Sequence, residues 1–302
     1  MASVADRLPD ETRRAVPEHA VPWGAVVWFG ALMLLCYWPV LKRLVLQWYN
    51  DEDMGHGFFV PLMAAYIFWQ RREDILNAAK PNYWGLAIMA YAALQLMIGA
   101  LGAELFLQRT AFLFTLVGAV VLLGGVPALK RSAFPLALLA FMIPLPAIVY
   151  NQITFKLQLL ASRIAEGALM LLGAPVLREG NILELANQRL NVVEACSGIR
   201  SLLSLGFLSL VYAYFFDSKP WMRWALLAAA IPIAVMANAG RVTISGILSE
   251  YNPELAKGFL HMLEGWIIFM VAVVLMIITH QVLNSIYRMV HNRHDQTGAT
   301  AQ

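Results

Sequence analysis

Long apolar runs recur along this chain, each near the ~20 residues needed to cross the hydrocarbon core of a bilayer, with short polar stretches between them. They predict eight spans, roughly over residues 23–42, 57–70, 84–103, 109–126, 132–150, 198–216, 221–241 and 262–285. The second is short and calls for tilted neighbours or a locally thinned bilayer. One further apolar stretch, Phe155 to Leu172, carries Lys156, Gln158, Arg163 and Glu166. That mixture suits an amphipathic helix lying in the outer interface rather than a span. After it, residues 181–185 and 189–193 flank Ala186 to Gln188 as the arms of a candidate short hairpin. The hairpin would deliver Glu194-Ala-Cys196-Ser197-Gly to the start of the next helix. The expected fold is all-α: a polytopic membrane bundle of about eight transmembrane helices, with the interfacial helix and the hairpin as outer-face accessories.

Composition agrees with a membrane chain. The 302 residues are 60% hydrophobic and only 14% charged, too apolar for a soluble surface. A net charge of +3 is too small to imply nucleic acid. Instead the basic residues mark orientation. Arg71, Arg72, Lys80, Lys130, Arg131, Lys219, Arg223, Arg288 and Arg293 fall on one side of the spans with the N-terminal arginines. That side is expected to be the cytoplasm of a bacterial inner membrane, with both termini inside. Lys42 and Arg43 dissent, near the outer boundary, beside the acidic stretch Asp51-Glu52-Asp53. Residues 1–22 read as a polar cytoplasmic tail rather than a cleavable signal. Residues 23–285 form the membrane domain, and 286–302 a second cytoplasmic tail. The two cysteines, Cys36 and Cys196, are expected at different depths and unbridged.

Ionisable residues in or at the ends of spans are costly, so each is a functional candidate. Three groups map to the outer face. In the first, Ser197 is a candidate N-cap that sets Cys196 before a helix N-terminus, where partial positive charge favours a thiolate. Glu194 precedes it, and Arg200 follows one turn later. A small buried structural cysteine reads equally well here. In the second, Asn238, Arg241 and Ser245 share a helix face. Arg241 is either a headgroup anchor or an active-site cation. In the third, His261 opens the last span with Gly265 one turn on, leaving room beside an imidazole able to act as acid and base. Nucleophile, cation and proton carrier are what acyl transfer through a thioester needs. No cofactor is implied: ligand spacing for a metal, a P-loop and HExxH are all missing from the sequence.

Three stretches, Asn191-Val-Val-Glu-Ala-Cys-Ser-Gly-Ile-Arg-Ser-Leu, Ala237-Asn-Ala-Gly-Arg-Val-Thr-Ile-Ser-Gly and His261-Met-Leu-Glu-Gly-Trp, resemble the signature blocks of exosortases. Gly55-His56-Gly57-Phe-Phe-Val-Pro61 is similar to the family's N-terminal His-Gly block, with Gly55 where members often carry Ser. The resemblance implies a cysteine transpeptidase with Cys196 as nucleophile, Arg241 as oxyanion or thiolate stabiliser and His261 as acid and base. It casts Glu194, Ser197, Arg200, Asn238 and His56 as supporting or substrate-binding residues. Its substrates would be exported proteins ending in a short Pro-Glu-Pro-like motif, an apolar helix and a basic tail, cleaved at the periplasmic face. The thioester would pass to an acceptor, an exopolysaccharide- or lipid-linked amine among the candidates, or to water. Family context also implies a link to exopolysaccharide and biofilm production. A different class stays open: a non-enzymatic polysaccharide export or assembly component, whose polar residues would line a path for sugar.

Overall fold

The computed structural model describes residues 23–186, 189–192, 199–251 and 259–299; the side chains of residues 23, 25, 26, 52, 250–264 and 291–299 lie outside that description. The chain folds as a helical bundle. Six helices, among the described residues, are long and apolar enough to cross a membrane. They establish a polytopic membrane protein; the expected count of eight spans is not established by them.

Helix α1 (Trp23–Asn50) leads into a 3-10 turn at Glu52–Phe58. Asp51 caps that turn by accepting a 3.0 Å hydrogen bond from the Asp53 amide. Helices α2 (Phe59–Gln70) and α3 (Arg72–Asn77) follow. With 12 residues, α2 reaches only about 18 Å at a rise of ~1.5 Å per residue.

Helix α4 (Trp84–Leu101) folds back on α5 (Leu105–Leu138). Glu104 caps α5 by accepting 2.6 Å from the Leu107 amide. The hairpin closes backbone to backbone: a Cβ on Gly85 would fall 2.5 Å from the Gly118 carbonyl oxygen, the close approach that small residues permit between membrane helices. Within α5, Gly125 is non-helical (φ 70°, ψ −172°). The chain reverses there, as the partners on either side show. Arg109 Nη2 donates to Gln47 Oε1 at 2.7 Å, and Trp48 Nε1 donates to the Met142 carbonyl at 2.9 Å, so both ends of Leu105–Met142 meet the end of α1. The middle meets α3, through Lys80 N donating to Gly124 O (2.9 Å) and Arg131 Nη1 to Asp74 O (2.6 Å).

A break follows at Ile143-Pro144-Leu145-Pro146, and α6 (Ala147–Leu171) begins. The span expected over 132–150 therefore ends before the prolines, which cannot continue the ladder. The expected interfacial helix is present as a helix, starts at Ala147 rather than Phe155, and is not among the six helices long and apolar enough to span. It runs alongside α8 (Pro220–Tyr251) in the same direction: Leu157 lines a small cavity with Val235 and Asn238, and Leu169 packs on Gly246. The cause is a seam of small and polar residues, Thr154, Gln158, Ala161, Ser162 and Ala165, closed by Leu169, at helical spacing and all buried.

The hairpin is present and gains a strand. β1 (Val176–Glu179), β2 (Ile182–Leu185) and β3 (Arg189–Asn191) form an antiparallel meander, with Leu183 opposite Leu190 and Arg178. Its inward residues join α6 and α8 in one apolar cluster: Ala165, Leu169, Leu183, Leu185, Val192 and Val242. The remaining helices are α7 (Ile199–Phe216), α8 and α9 (Phe259–Ala299), the last continuing as helix through the stretch expected to be a C-terminal tail.

Three of the basic residues expected on one side, Arg71, Lys219 and Arg223, meet near the end of α7. Arg71 Nε donates to Tyr214 Oη at 2.7 Å, and the Arg223 guanidinium lies 4.9 Å from the Phe134 ring, itself stacked on Tyr214. Nearby, Asp217 joins α7 to α9: its Oδ2 lies 3.0 Å from His280 Nε2, and Lys219 Nζ reaches Asn284 Oδ1 at 2.8 Å.

Candidate active site

The opposite end carries the sequence motifs. There the N-terminal 3-10 turn, the start of α6, the start of α7 and the later half of α8 come together. Glu194, Cys196 and Ser197 lie outside the described residues, as does the side chain of His261, whose backbone sits in the first turn of α9.

Arg241 is half-buried on α8. Its guanidinium lies flat against α9 at Gly265: a Cβ there would meet Cζ and Nη2 at 3.3 Å and Nη1 at 3.4 Å. Gly265 follows His261 by one helical turn, so α9 presents the His261 position and the Arg241 guanidinium on adjoining turns. The room expected beside the imidazole is taken, at Gly265, by the arginine. Asn238, one turn before Arg241, is buried, and its Nδ2 has no hydrogen-bond partner among the described residues. It lines a cavity of about 10 Å³ with Leu157, Leu202, Ala234 and Val235, where α6, α7 and α8 meet. Ser245, on the same face, is also buried.

Arg200, in the first turn of α7, points to the N-terminal block: Nε donates to Asp53 Oδ1 at 2.8 Å. Tyr150, in the first turn of α6, donates its hydroxyl to the other oxygen, Oδ2. Burial and the adjoining Asp53 and Asp51 carboxylates push the Tyr150 phenol up, so it stays protonated and donates. Neither Asp53 nor Tyr150 stands out in the sequence: Asp53 is one of three acids in a loop, and Tyr150 ends the span expected over 132–150.

His56 is buried in the 3-10 turn, with Nε2 3.1 Å from the Phe141 carbonyl and the ring beside Phe207. Gly57 beside it lies under the indole of Trp48, whose Cδ1 and Nε1 are both 2.6 Å from where a Cβ would stand. Burial pushes His56 below its ordinary value near 6.5, outweighing the carbonyls that favour the charged ring. An unfolded chain therefore takes up this proton at higher pH than the folded one. Stability is full above about pH 6.5 and falls as the pH drops through and below that value. Melting in detergent at pH 7.5 and pH 5.5 is expected to show this loss in wild type and a smaller one in His56→Gln.

The sequence of residues 48–278 matches a family model described as transmembrane exosortase. The chain belongs to that family. Membership implies a membrane transpeptidase for sorting signals. The match takes in the Asp53, Cys196, Arg241 and His261 blocks alike. A comparison with curated proteins finds no match, and one with solved structures finds none.

Proposed function

We propose that this exosortase is a cysteine transpeptidase that cuts C-terminal sorting signals of exported proteins at the periplasmic face of the inner membrane. The observation that carries this reading is the seating of the Arg241 guanidinium on Gly265, one turn from His261. It joins the second and third sequence blocks across two helices. The first block is tethered close by: Val192 shares an apolar cluster with Val242, the neighbour of Arg241. Cys196 is four residues beyond Val192, so chain length alone keeps it within about 14 Å of that cluster.

The chemistry follows from the residue types. Cys196 as thiolate attacks the scissile carbonyl, and Arg241 balances the oxyanion that forms. The tetrahedral intermediate expels the signal's amine, which takes a proton from His261 and leaves with the apolar helix and basic tail. An acceptor amine, losing its proton to His261, then attacks the thioester and frees the thiolate. Water in place of the amine gives hydrolysis.

The test uses an exported reporter carrying the sorting tail, with the full-length enzyme in cells. Wild type is expected to shorten the reporter, and Cys196→Ser and Cys196→Ala to leave it full length with normal enzyme levels. Equal processing by all three would overturn the thiol mechanism and put the export-component reading in front.

A further inference from the structure

Asp53 spends both carboxylate oxygens on partners from other parts of the chain. Oδ1 takes Arg200, 147 residues away, and Oδ2 takes Tyr150, 97 away. Its own amide is held by the Asp51 cap, and its side chain is only 15% exposed. Three segments thus converge on one anion: the 3-10 turn, the first turn of α6 and the first turn of α7. Charge-assisted bonds of this kind are the strong class, and a half-exposed Arg200 gains a fixed direction from a carboxylate that cannot move. Arg200 is four residues after Cys196 in the sequence. The chain on the other side of Cys196 is held by apolar packing at Val192.

We propose that Asp53 is a positioning residue for the nucleophile: through Arg200 it fixes the first turn of α7, and through Tyr150 it locks that turn to α6 and the N-terminal block. This rests on the transpeptidase reading for its effect on rate, though the ionic tether itself does not. This role requires of Asp53 no contact with substrate or thiol. It also tempers the charge of Arg200. With the carboxylate neutralised, Arg200 loses one counter-charge, and its charge acts more strongly on Cys196, four residues before it in sequence, favouring the thiolate. With Arg200 neutralised, the remaining carboxylate disfavours it.

The experiment uses the full chain with Cys36→Ser, leaving Cys196 as the sole thiol of the two in the sequence. Asp53→Asn, Arg200→Gln, the double variant and Asp53→Glu are compared by reporter turnover and by the pH profile of Cys196 alkylation with iodoacetamide. Asp53→Asn is expected to lower kcat by on the order of 10- to 100-fold with little change in KM, the scale of a misplacement of about 1 Å. Asp53→Glu recovers part of that loss. The alkylation profile moves to lower pH in Asp53→Asn, to higher pH in Arg200→Gln, and returns toward wild type in the double variant. Opposite shifts are a signature that loss of packing does not produce. Alkylation profiles that stay unmoved, or a fall in turnover matched by an equal fall in thermal stability with no recovery in Asp53→Glu, overturn the proposal. Because alkylation needs only an accessible thiol, the tether stands or falls separately from catalysis by Cys196.

Discussion

Arg241→Ala is expected to lower the processing rate by about 100- to 1,000-fold, the loss typical of removing one preorganised oxyanion donor. Arg241→Lys should recover little of it, since an ammonium lacks the planar fork and cannot lie flat against a backbone. The more discriminating series is at Gly265, which touches Arg241 and adds no chemistry of its own. A Cβ there would stand 3.3 Å from Cζ, so Gly265→Ala has to push the guanidinium by a few tenths of an ångström. Gly265→Val adds branches that must displace it by roughly 1 Å, and a displacement of that size can cost about 100-fold. The expected result is a graded fall in kcat from glycine to alanine to valine, with enzyme levels and melting temperature nearly constant. Nearly constant stability is reasonable, because Trp266 and Ile267 alongside are exposed on the outer face of α9 and little packing is disturbed. Wild-type turnover in Gly265→Val would show that the guanidinium does its work elsewhere, and the proposed site would fail.

Much of the bundle was legible because lipid exposure demands long apolar runs, and those are read directly. α4 and α7 start and stop almost where the pattern places them. The errors fall where something other than lipid covers a helix. α8 runs to Tyr251 rather than stopping near Arg241, because its later half is covered by α6 through contacts such as Leu169 on Gly246. The break before α6 hides inside a continuous apolar stretch, and the signal that marks it is Pro144 and Pro146 rather than hydropathy. Prolines do not always break: Pro39 and Pro232 lie within α1 and α8. At the site, Arg241 stood out since a cation in a span is costly. That Gly265 makes room was also legible, but which side chain fills the room depends on how α8 and α9 are rotated against each other. Asp53 is a different case. Its meaning lies in partners 97 and 147 residues away, a distance over which no local pattern reports.

Gly125→Ala is expected to be the most damaging single change outside the candidate site. Gly125 turns the chain between the two halves of α5 with φ 70° and ψ −172°, a region essentially restricted to glycine. Backbone strain for any other residue there costs roughly 1–3 kcal/mol. Sterics add to it. An alanine Cβ would stand 1.9 Å from the Lys80 carbonyl oxygen, which is backbone and cannot rotate away. Moving Lys80 would in turn strain the 2.9 Å bond from its amide to Gly124 and the seam between α4 and α5. Both halves of α5 then lose their register: the first with α4, the second with α1 and the 3-10 turn, where Met142 and Phe141 hold Trp48 and His56. The total exceeds what the turn strain alone would take from a folded margin of about 5–15 kcal/mol. Gly125→Ala should therefore give little folded protein in membranes and a sharply lower melting temperature for what remains in detergent. Gly30→Ala in α1 is the matched control. No atom lies within 4 Å of a Cβ placed at Gly30, and alanine in a helix interior gains roughly 0.5–1 kcal/mol over glycine. Equal melting temperatures for the two variants would mean that the reversal at Gly125 tolerates a side chain, and that the hairpin within α5 is held by its partners alone.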